Sequence, residues 1–312
     1  MKAKKGILIC GHGSRDPQGI EGFKELVRLL KERYPDRIVD YGFLEFSHPV
    51  YAAAIERMYL DSVREIIAIP AILFAGGHAK NDIPYEMNTL QSQYNDLTIK
   101  LGKHIGITPS ILQLSKKIIE IAESSVTQID RKETCLLVVG RGTSDPDANS
   151  DIAKLTRMVW EGLGFGFATT TYIGVTQPLL KDSLPLMNQL PFKRIVVLPV
   201  FLFTGVLLKK IYAQVDEFAA TSDKEFIYTK SYECDELLLE TIEERIQEVE
   251  NGNPNMNCQL CKYRTQIIGF EDEKGKDQMG HHLAVKGILF EEDQKIKKEK
   301  GIVSGVKKIL GI

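Results

Sequence analysis

The chain contains an internal repeat, and this repeat limits the fold more than any other feature of the sequence. Residues 8–17 read LICGHGSRDP, and residues 137–146 read LVVGRGTSDP. The same offset aligns SHP at 47–49 with TQP at 176–178, and PAILFAG at 70–76 with PVFLFTG at 199–205. A register that holds without a gap over about seventy residues indicates two copies of one domain.

Each copy begins with the pattern of a strand, a tight turn and a helix. The apolar run is typical of a buried strand. Gly-x-Gly lets the backbone turn sharply and leaves room beside it for a ligand. Asp16-Pro17 and Asp145-Pro146 predict a capped helix start with proline at the first helical position. Strands and helices alternate as far as residue 250, which predicts α/β domains with parallel sheets and helices on both faces.

The repeat divides the chain into three parts. We expect an N-terminal domain at 1–125, a C-terminal domain at 135–250 and a tail at 251–312. The predicted strands are 6–10, 38–46, 65–74 and 97–101 in the first domain, and 135–139, 167–173, 194–203 and 226–229 in the second. No third glycine follows Gly-x-Gly, so this turn is not a dinucleotide-binding fingerprint.

Composition and charge exclude several classes of protein. Hydrophobic residues make up 43% and charged residues 26% of the 312, an ordinary globular balance. The formal net charge of -2 does not favour nucleic acid as a partner. No apolar run is long enough to span a bilayer, and the short apolar run after the N-terminus reads as a strand rather than a signal peptide. We therefore expect a cytoplasmic protein with no membrane partner.

Four of the six histidines follow predicted strands of the first copy. His12 follows the first strand, Glu45 and His48 end the second, His78 follows the third, and His104 follows the fourth. In an open parallel sheet, ligands bind beyond the carboxyl ends of the strands, so these side chains should gather at one edge. His12 and His78 lie in glycine-bracketed turns from which a side chain can reach a ligand. His48, before Pro49, reads as a turn residue rather than a metal ligand, and His104 reads equally well as a loop residue or a substrate contact.

Imidazoles and a carboxylate bind first-row divalent metals such as cobalt, nickel and iron. The same groups accept protons near neutral pH. Inserting a metal into a porphyrin-like ring requires both actions, because two ring N–H protons leave as the metal enters. Basic residues could hold ring carboxylates, although each also reads as ordinary solvated surface; they are Arg15, Lys80, Arg141, Lys209 and Lys210.

The segments GHGSR at 11–15, FLEFSHP at 43–49 and PAILFAGGH at 70–78 resemble the class II chelatase family. The resemblance is to its long, two-domain sirohydrochlorin chelatases of the CbiX type. It implies that His12 and His78 bind the metal and assist deprotonation. Glu45 lies in an apolar strand and is either a buried paired carboxylate or a proton acceptor, and we expect it to help the two histidines. It also implies a cleft that holds sirohydrochlorin, for which the candidate contacts are Ser14, Arg15, His48, Lys80, His104, Arg141 and Lys209.

The second copy departs from this pattern. It has Arg141 and Leu207 where the first copy has His12 and His78. Arginine is permanently cationic and leucine is apolar, so neither ligates a divalent metal. The resemblance therefore implies one metal site per chain and a monomer of two repeats.

The sequence leaves the metal and the reaction open. Cobalt, the metal we expect, would place the chain in anaerobic cobalamin synthesis, iron would place it in siroheme synthesis, and related enzymes accept nickel. A non-catalytic metal or tetrapyrrole carrier is the alternative of another class. A histidine-nucleophile phosphoryl transferase is a further alternative, but such sites usually have Arg directly before the histidine, and Gly11 is there instead.

The tail carries a second set of potential metal ligands. Cys258 and Cys261 match the Met-x-Cys-x-x-Cys sequence that some long family members use for an iron–sulfur cluster, and His281-His282 follows. Two cysteines do not complete a four-cysteine site. Either two chains share a cluster and form a dimer through the tail, or the histidines complete a mixed site, or the pair is a redox thiol.

Overall fold

The computed structural model describes residues 4–254 and 260–275, and it contains two four-stranded parallel sheets. The strand order is β2-β1-β3-β4 in the first half and β6-β5-β7-β8 in the second, which is the same topology twice. The predicted fold class, two tandem α/β units with parallel sheets and flanking helices, is confirmed. The strands are β1 Lys4–Gly11, β2 Ile38–Phe43, β3 Val63–Pro70, β4 Thr98–Leu101, β5 Thr134–Gly140, β6 Phe167–Tyr172, β7 Arg194–Pro199 and β8 Glu225–Tyr228.

Helices connect these strands in both halves. They are α1 Pro17–Arg33, α2 Tyr51–Leu60, α3 Ile83–Gln91, α4 Pro109–Ser124, α5 Pro146–Leu163, α6 Leu180–Gln189, α7 Val206–Ala219 and α8 Glu236–Glu250. The two predicted caps are confirmed: the Asp16 carboxylate accepts from the backbone N–H of Gln18, and the Asp145 carboxylate from that of Asp147. The turn between β1 and α1 and the turn between β5 and α5 therefore each end in a capped helix start at the edge of the sheet.

Two strands of the first half are shorter than predicted. The apolar stretch 38–46 leaves the sheet after Phe43, because residue 46 turns into the left-handed region at φ 60. The stretch 65–74 leaves it after Pro70, and the backbone N–H groups of Ile105 and Gly106 donate to the carbonyls at 72 and 73. The second half repeats both early ends, at Tyr172 and Pro199. Beyond these ends, Phe46, residues 71–74 and residues 200–203 line a cleft instead of extending the sheet.

The last helix of each half packs against the other half. Helix α4 contacts α5, α8 and β8, whereas α8 contacts α1, α4 and β3. The Thr108 and Thr241 hydroxyls pair at 3.1 Å, and the Ser115 and Tyr232 hydroxyls at 2.8 Å, all four residues being buried. One apolar core consequently runs through both halves, from the α1 side of the first sheet to the α5 side of the second. The sequence repeat is therefore not a pair of independently packed lobes.

Over residues 4–254 and 260–275, no helix combines the length and the apolar composition needed to cross a membrane.

Candidate active site

A cleft with a volume of about 630 Å³ lies between the two halves. Its walls come from the loops that follow β1, β2 and β3 and from their counterparts after β5, β6 and β7. Polar and aromatic residues at this surface include His12, Ser14, Arg15, Phe46, Phe74, His78, Asp82, Arg141, Asn149, Phe203 and Tyr263. The cleft thus occupies the edge of both sheets at which ligand binding is expected.

Three of the predicted residues come together at the first-half side of this cleft. One ligand atom from each of His12, Glu45 and His78 lies within 4.8 Å of the other two. The two imidazole rings are 4.7 Å apart between centroids, and Nε2 of His12 lies 3.2 Å from Oε1 of Glu45. Two imidazoles and a carboxylate in this arrangement form a donor set for a first-row divalent metal.

The hydrogen bonding of His12 leaves its Nε2 lone pair available. Nδ1 lies 3.0 Å from the Gly13 carbonyl oxygen, which can only accept, so Nδ1 carries the proton. Nε2 is buried and makes no hydrogen bond, although the Glu45 carboxylate is within ion-pair distance. Burial, with smaller effects of the charges on His78 and Arg141, lowers the pKa of His12 to about 3. A neutral imidazole nitrogen facing a carboxylate is an arrangement that a bound cation stabilises.

His78 is oriented by a carboxylate that the sequence did not identify. Its Nδ1 lies 2.7 Å from Oδ2 of Asp82, whose side chain is fully buried. A π-helical turn over His78–Asp82 opens this segment and brings the two residues together. Since Nδ1 donates to Asp82, Nε2 is left for a metal, as in carboxylate–histidine–metal arrangements. The spacing of four residues in HAKND was the only sequence signal for Asp82.

Three further predicted contacts line the cleft. The Arg15 guanidinium lies 4.6 Å from the centroid of the Phe46 ring, and Arg141 projects from the opposite half. Over the described part of the chain, no carboxylate forms an ion pair with Arg15 or Arg141. The Ser14 hydroxyl accepts from the backbone N–H of Asp16 at 3.0 Å and also faces the cleft. Both guanidinium groups are therefore placed to receive carboxylates of a ligand.

Lys80 and Lys209 occupy equivalent positions in the two copies, and each binds a carboxylate of the opposite half. The Lys80 ammonium is buried and donates to Asp145 and Asp147 of the second half, at 2.9 Å each. Lys209 donates to Asp16 of the first half at 2.6 Å. Neither lysine belongs to the described lining of the cleft. The repeat thus builds reciprocal ion pairs between the halves, and the contact of these two lysines with substrate stays a prediction.

His48 and His104 are likewise absent from the described cleft lining. His48 precedes a cis peptide bond to Pro49, as Gln177 does before Pro178 in the second half. The Nδ1 atom of His104 is buried without a hydrogen-bond partner. Burial, and then the charge of Arg245, lowers the pKa of His104 to about 4, so this imidazole is neutral near neutral pH. Both histidines follow strands of the first half, and their contact with substrate stays a prediction.

The tail contributes one cleft residue that sequence reasoning missed. Tyr263 lies at the cleft surface, and its hydroxyl is close to the backbone of Gly77. Burial raises the pKa of Tyr263 to about 12. No motif marks this tyrosine, so the sequence offered no signal for it.

The proposed cluster ligands of the tail are only partly described. Cys261 is buried and free, whereas Cys258, His281 and His282 lie outside the described residues. In the described part of the chain, the group of three or more metal-ligating side chains is the one at His12, Glu45 and His78. One described thiol does not make a site for a four-ligand cluster. The cluster, and the dimer that would share it, therefore stay predictions.

Two α/β halves that enclose a histidine–carboxylate cluster in a shared cleft define a protein of the chelatase type. The chain belongs to the CbiX family, whose model matches it twice, at residues 6–122 and 135–249. The two matched ranges coincide with the sequence repeat, so each half is one copy of the family's unit.

Three relatives and neighbours illustrate the similarity. The chain is 33% identical to the sirohydrochlorin cobaltochelatase of Priestia megaterium over 267 residues, which cover 85% of this chain and 86% of that protein. It is 28% identical to the sirohydrochlorin ferrochelatase of the same organism over 222 residues, or 71% of this chain and 81% of that one. SirB from Bacillus subtilis, solved with Fe3+, has a TM-score of 0.71 at 21% identity and covers 81% of this chain and 100% of its own.

Proposed function

We propose that this chain inserts a divalent metal, cobalt in particular, into sirohydrochlorin. The observation that carries the proposal is the cluster of His12, Glu45 and His78 on one wall of a cleft whose walls also present Arg15 and Arg141. The metal donors face the cleft, and the two guanidinium groups add positive charge to its walls. This combination fits a flat ring that binds a metal at its centre and carries carboxylates at its edge.

The ligand cluster can exchange a metal ion for protons. The substrate metal is held by Nε2 of His12, Nε2 of His78 and the Glu45 carboxylate. As the metal passes to the ring nitrogens, two N–H protons leave, and the same lone pairs become free. The lowered pKa of His12 makes its imidazole a better metal ligand than proton acceptor, because protons do not compete for it near neutral pH. Glu45, at 3.2 Å from that nitrogen, is the neighbouring group placed to take one of the two protons, and the Nε2 lone pair of His78, free once the metal has left, is placed to take the other.

The two halves contribute unequally to this reaction. Arg141 replaces a ligand position of the first half and faces the cluster closely enough for its charge to lower the pKa of His12. Burial is the larger cause of that lowered pKa, and the charge of Arg141 adds to it; the guanidinium can also hold a substrate carboxylate. Leu207, at the second ligand position, adds apolar surface to the cleft. The first half holds the metal, and the second half closes the cleft over the ring.

The choice of cobalt rests on the relatives rather than on the ligands. The cobaltochelatase is matched over 85% of this chain at 33% identity, and the ferrochelatase of the same organism over 71% at 28%. Two imidazoles and a carboxylate bind cobalt, iron and nickel, so this donor set alone does not select among them. We propose a single chain as the catalytic unit, since both walls of the cleft belong to one chain.

Steady-state insertion assays test the proposal directly. Sirohydrochlorin is mixed with the protein and with Co2+, Fe2+ or Ni2+ under anaerobic conditions, and the absorption spectrum is followed. We expect insertion above the spontaneous rate for each metal that the site accepts, with the highest kcat/KM for cobalt. Binding of the ring without acceleration would instead identify a carrier. A higher kcat/KM for iron would reject cobalt as the preferred metal and leave the chelatase proposal intact.

A further inference from the structure

Phe46 and Val175 occupy equivalent positions in the two copies, and both have left-handed backbone conformations. Their φ angles are 60° and 66°. In the described part of the chain, Ser62 and Glu233 are the other non-glycine residues with positive φ. Left-handed backbone is disfavoured for L-residues with bulky side chains, and most of all for β-branched ones such as valine. A strained conformation repeated at the same place in both halves calls for a local cause.

The loop after the second strand of each half causes this conformation. In the first half, the Glu45 N–H donates to the His12 carbonyl, and the Ser47 hydroxyl contacts the backbone of Ser14 on both sides of the turn. The backbone passes so close to Gly13 that a Cβ there would lie 1.8 Å from the Glu45 carbonyl oxygen. In the second half, a Cβ on Gly142 would lie 1.9 Å from the Gly174 carbonyl oxygen. Because the loop backbone lies against Gly13 and Gly142, the side chains of residues 46 and 175 are directed away from these glycines, toward the cleft.

Glycine would fill this conformation with no steric penalty, yet both positions carry apolar side chains. Val175 is 72% exposed, so packing inside the protein does not explain its presence. Phe46 is partly buried, 6.1 Å from the His12 ring between centroids and under the Arg15 guanidinium. Both side chains line the cleft, one from each half. Strain at a ligand-facing residue is a recurrent feature of binding sites.

We propose that Phe46 and Val175 are a pair of substrate-positioning residues that hold the apolar face of the tetrapyrrole macrocycle between the two halves. The inference rests on the proposed function and extends it, since it concerns how the ring is oriented rather than which metal enters. Phe46 lies beside His12, so a ring resting on it has its centre near the metal cluster. The Arg15 guanidinium, which lies over the same phenyl ring at 4.6 Å from its centroid, is placed to meet a carboxylate at the periphery of the macrocycle. Val175 contacts the macrocycle from the second half.

Glycine substitutions at these two positions separate positioning from folding. Phe46→Gly and Val175→Gly remove the apolar surface and relieve the backbone strain at the same time. We expect the thermal midpoint to stay level or rise, and the dissociation constant for metal-free sirohydrochlorin to increase about tenfold for each variant, because apolar contact is lost. In the insertion assay, KM should rise by a similar factor to the dissociation constant, whereas kcat should change by a smaller factor. Ser62→Gly is the matched control: it relieves the same strain far from the cleft lining and should leave binding unchanged.

Val175→Asn provides a second test that does not depend on glycine. Asparagine tolerates left-handed backbone but offers a polar surface, so this variant should fold normally and still bind the ring about tenfold more weakly. Unchanged binding in Val175→Gly, Val175→Asn and Phe46→Gly, with the unsubstituted protein binding and metallating sirohydrochlorin, overturns the positioning role and leaves the proposed function in place. An unsubstituted protein that neither binds nor metallates sirohydrochlorin overturns the proposed function, and the positioning role with it.

Discussion

At the scale of single residues, the site depends on two imidazoles whose free nitrogens are fixed by their partners. The Gly13 carbonyl determines the tautomer of His12, and Asp82 determines that of His78. Neither partner touches the metal, but each aims a lone pair at the position where the metal would sit. The buried Asp82 therefore matters to metal affinity as an orienting group rather than as a ligand.

Replacing Asp82 with Asn tests this orienting role. The asparagine keeps the size of the side chain but removes the charge that holds the His78 Nδ1 proton, so we expect metal affinity to fall about 10–100-fold. Isothermal titration calorimetry with Co2+ measures the metal affinity of the variant and of the unsubstituted protein. His48→Gln is the control, because the second half carries Gln177 at that position, and it should bind cobalt normally. Equal cobalt affinity in Asp82→Asn and the unsubstituted protein would contradict the assignment.

Arg141 and His78 should fail in different ways when they are truncated. His78→Ala removes a metal ligand, so insertion should be abolished while sirohydrochlorin still binds. Arg141→Ala removes a guanidinium that holds substrate, so KM should rise about tenfold with a smaller change in kcat. Steady-state kinetics together with titration of metal-free sirohydrochlorin distinguish the two effects. If Arg141→Ala lost turnover as completely as His78→Ala, the unequal roles of the halves would be wrong.

At the scale of secondary-structure elements, the capping residues of α1 and α5 have two structural roles. Asp16 and Asp145 cap α1 and α5, and each also binds a lysine of the opposite half. The hydrogen bond from Lys209 lowers the pKa of Asp16. Burial alone would lower the pKa of Lys80, but its hydrogen bonds to Asp147 and Asp145 outweigh this effect and raise it. Each pair therefore favours the charged form of its buried member, Asp16 in one pair and Lys80 in the other.

The two ion pairs differ in burial, so they should differ in their contribution to stability. Lys80 is 1% exposed and Lys209 is 52% exposed. Lys80→Met leaves two carboxylates without their cation inside the protein and should lower the free energy of unfolding by about 3–5 kcal/mol. Lys209→Met should lower it by only about 0–1 kcal/mol, because water screens that pair. Urea denaturation at neutral pH measures both variants, and equal losses would contradict this explanation.

At the scale of the whole molecule, the sequence predicted the features that both halves share. It did not predict the contacts between the halves. The paired motifs located both sheets, the cleft edge and the histidine cluster, because strand ends and glycine turns are local features. The ion pairs of Lys80 and Lys209 with the opposite half were not predicted, because a charge near a cleft looks the same in sequence whether it meets substrate or a distant carboxylate. Tyr263 and the exchange of α4 and α8 depend on contacts between residues far apart in sequence, which no local pattern records.

The exchanged helices make the two halves depend on each other for folding. The buried face of α4, with Ile111, Leu114 and Ile118, belongs to the core that it shares with α5 and α8. A fragment of residues 1–127 would expose this face to water, and the first sheet would lose α8. We therefore expect the fragment to form no stable monomer, and either to pair with a second copy of itself or to aggregate. Size-exclusion chromatography with light scattering measures its mass.

Co-expression of residues 1–127 with residues 128–312 provides the matching control. The cut falls between α4 and the short turn before β5, where the described side chains are mostly exposed. Each fragment then offers the helix that the other lacks, so the two should form a one-to-one complex that binds cobalt and metallates sirohydrochlorin like the intact chain. A folded monomer of the 1–127 fragment, unfolding cooperatively by itself, would show that the shared core is not needed. Failure of the two fragments to associate would show that the connection at 125–134, rather than the helix exchange, holds the halves together.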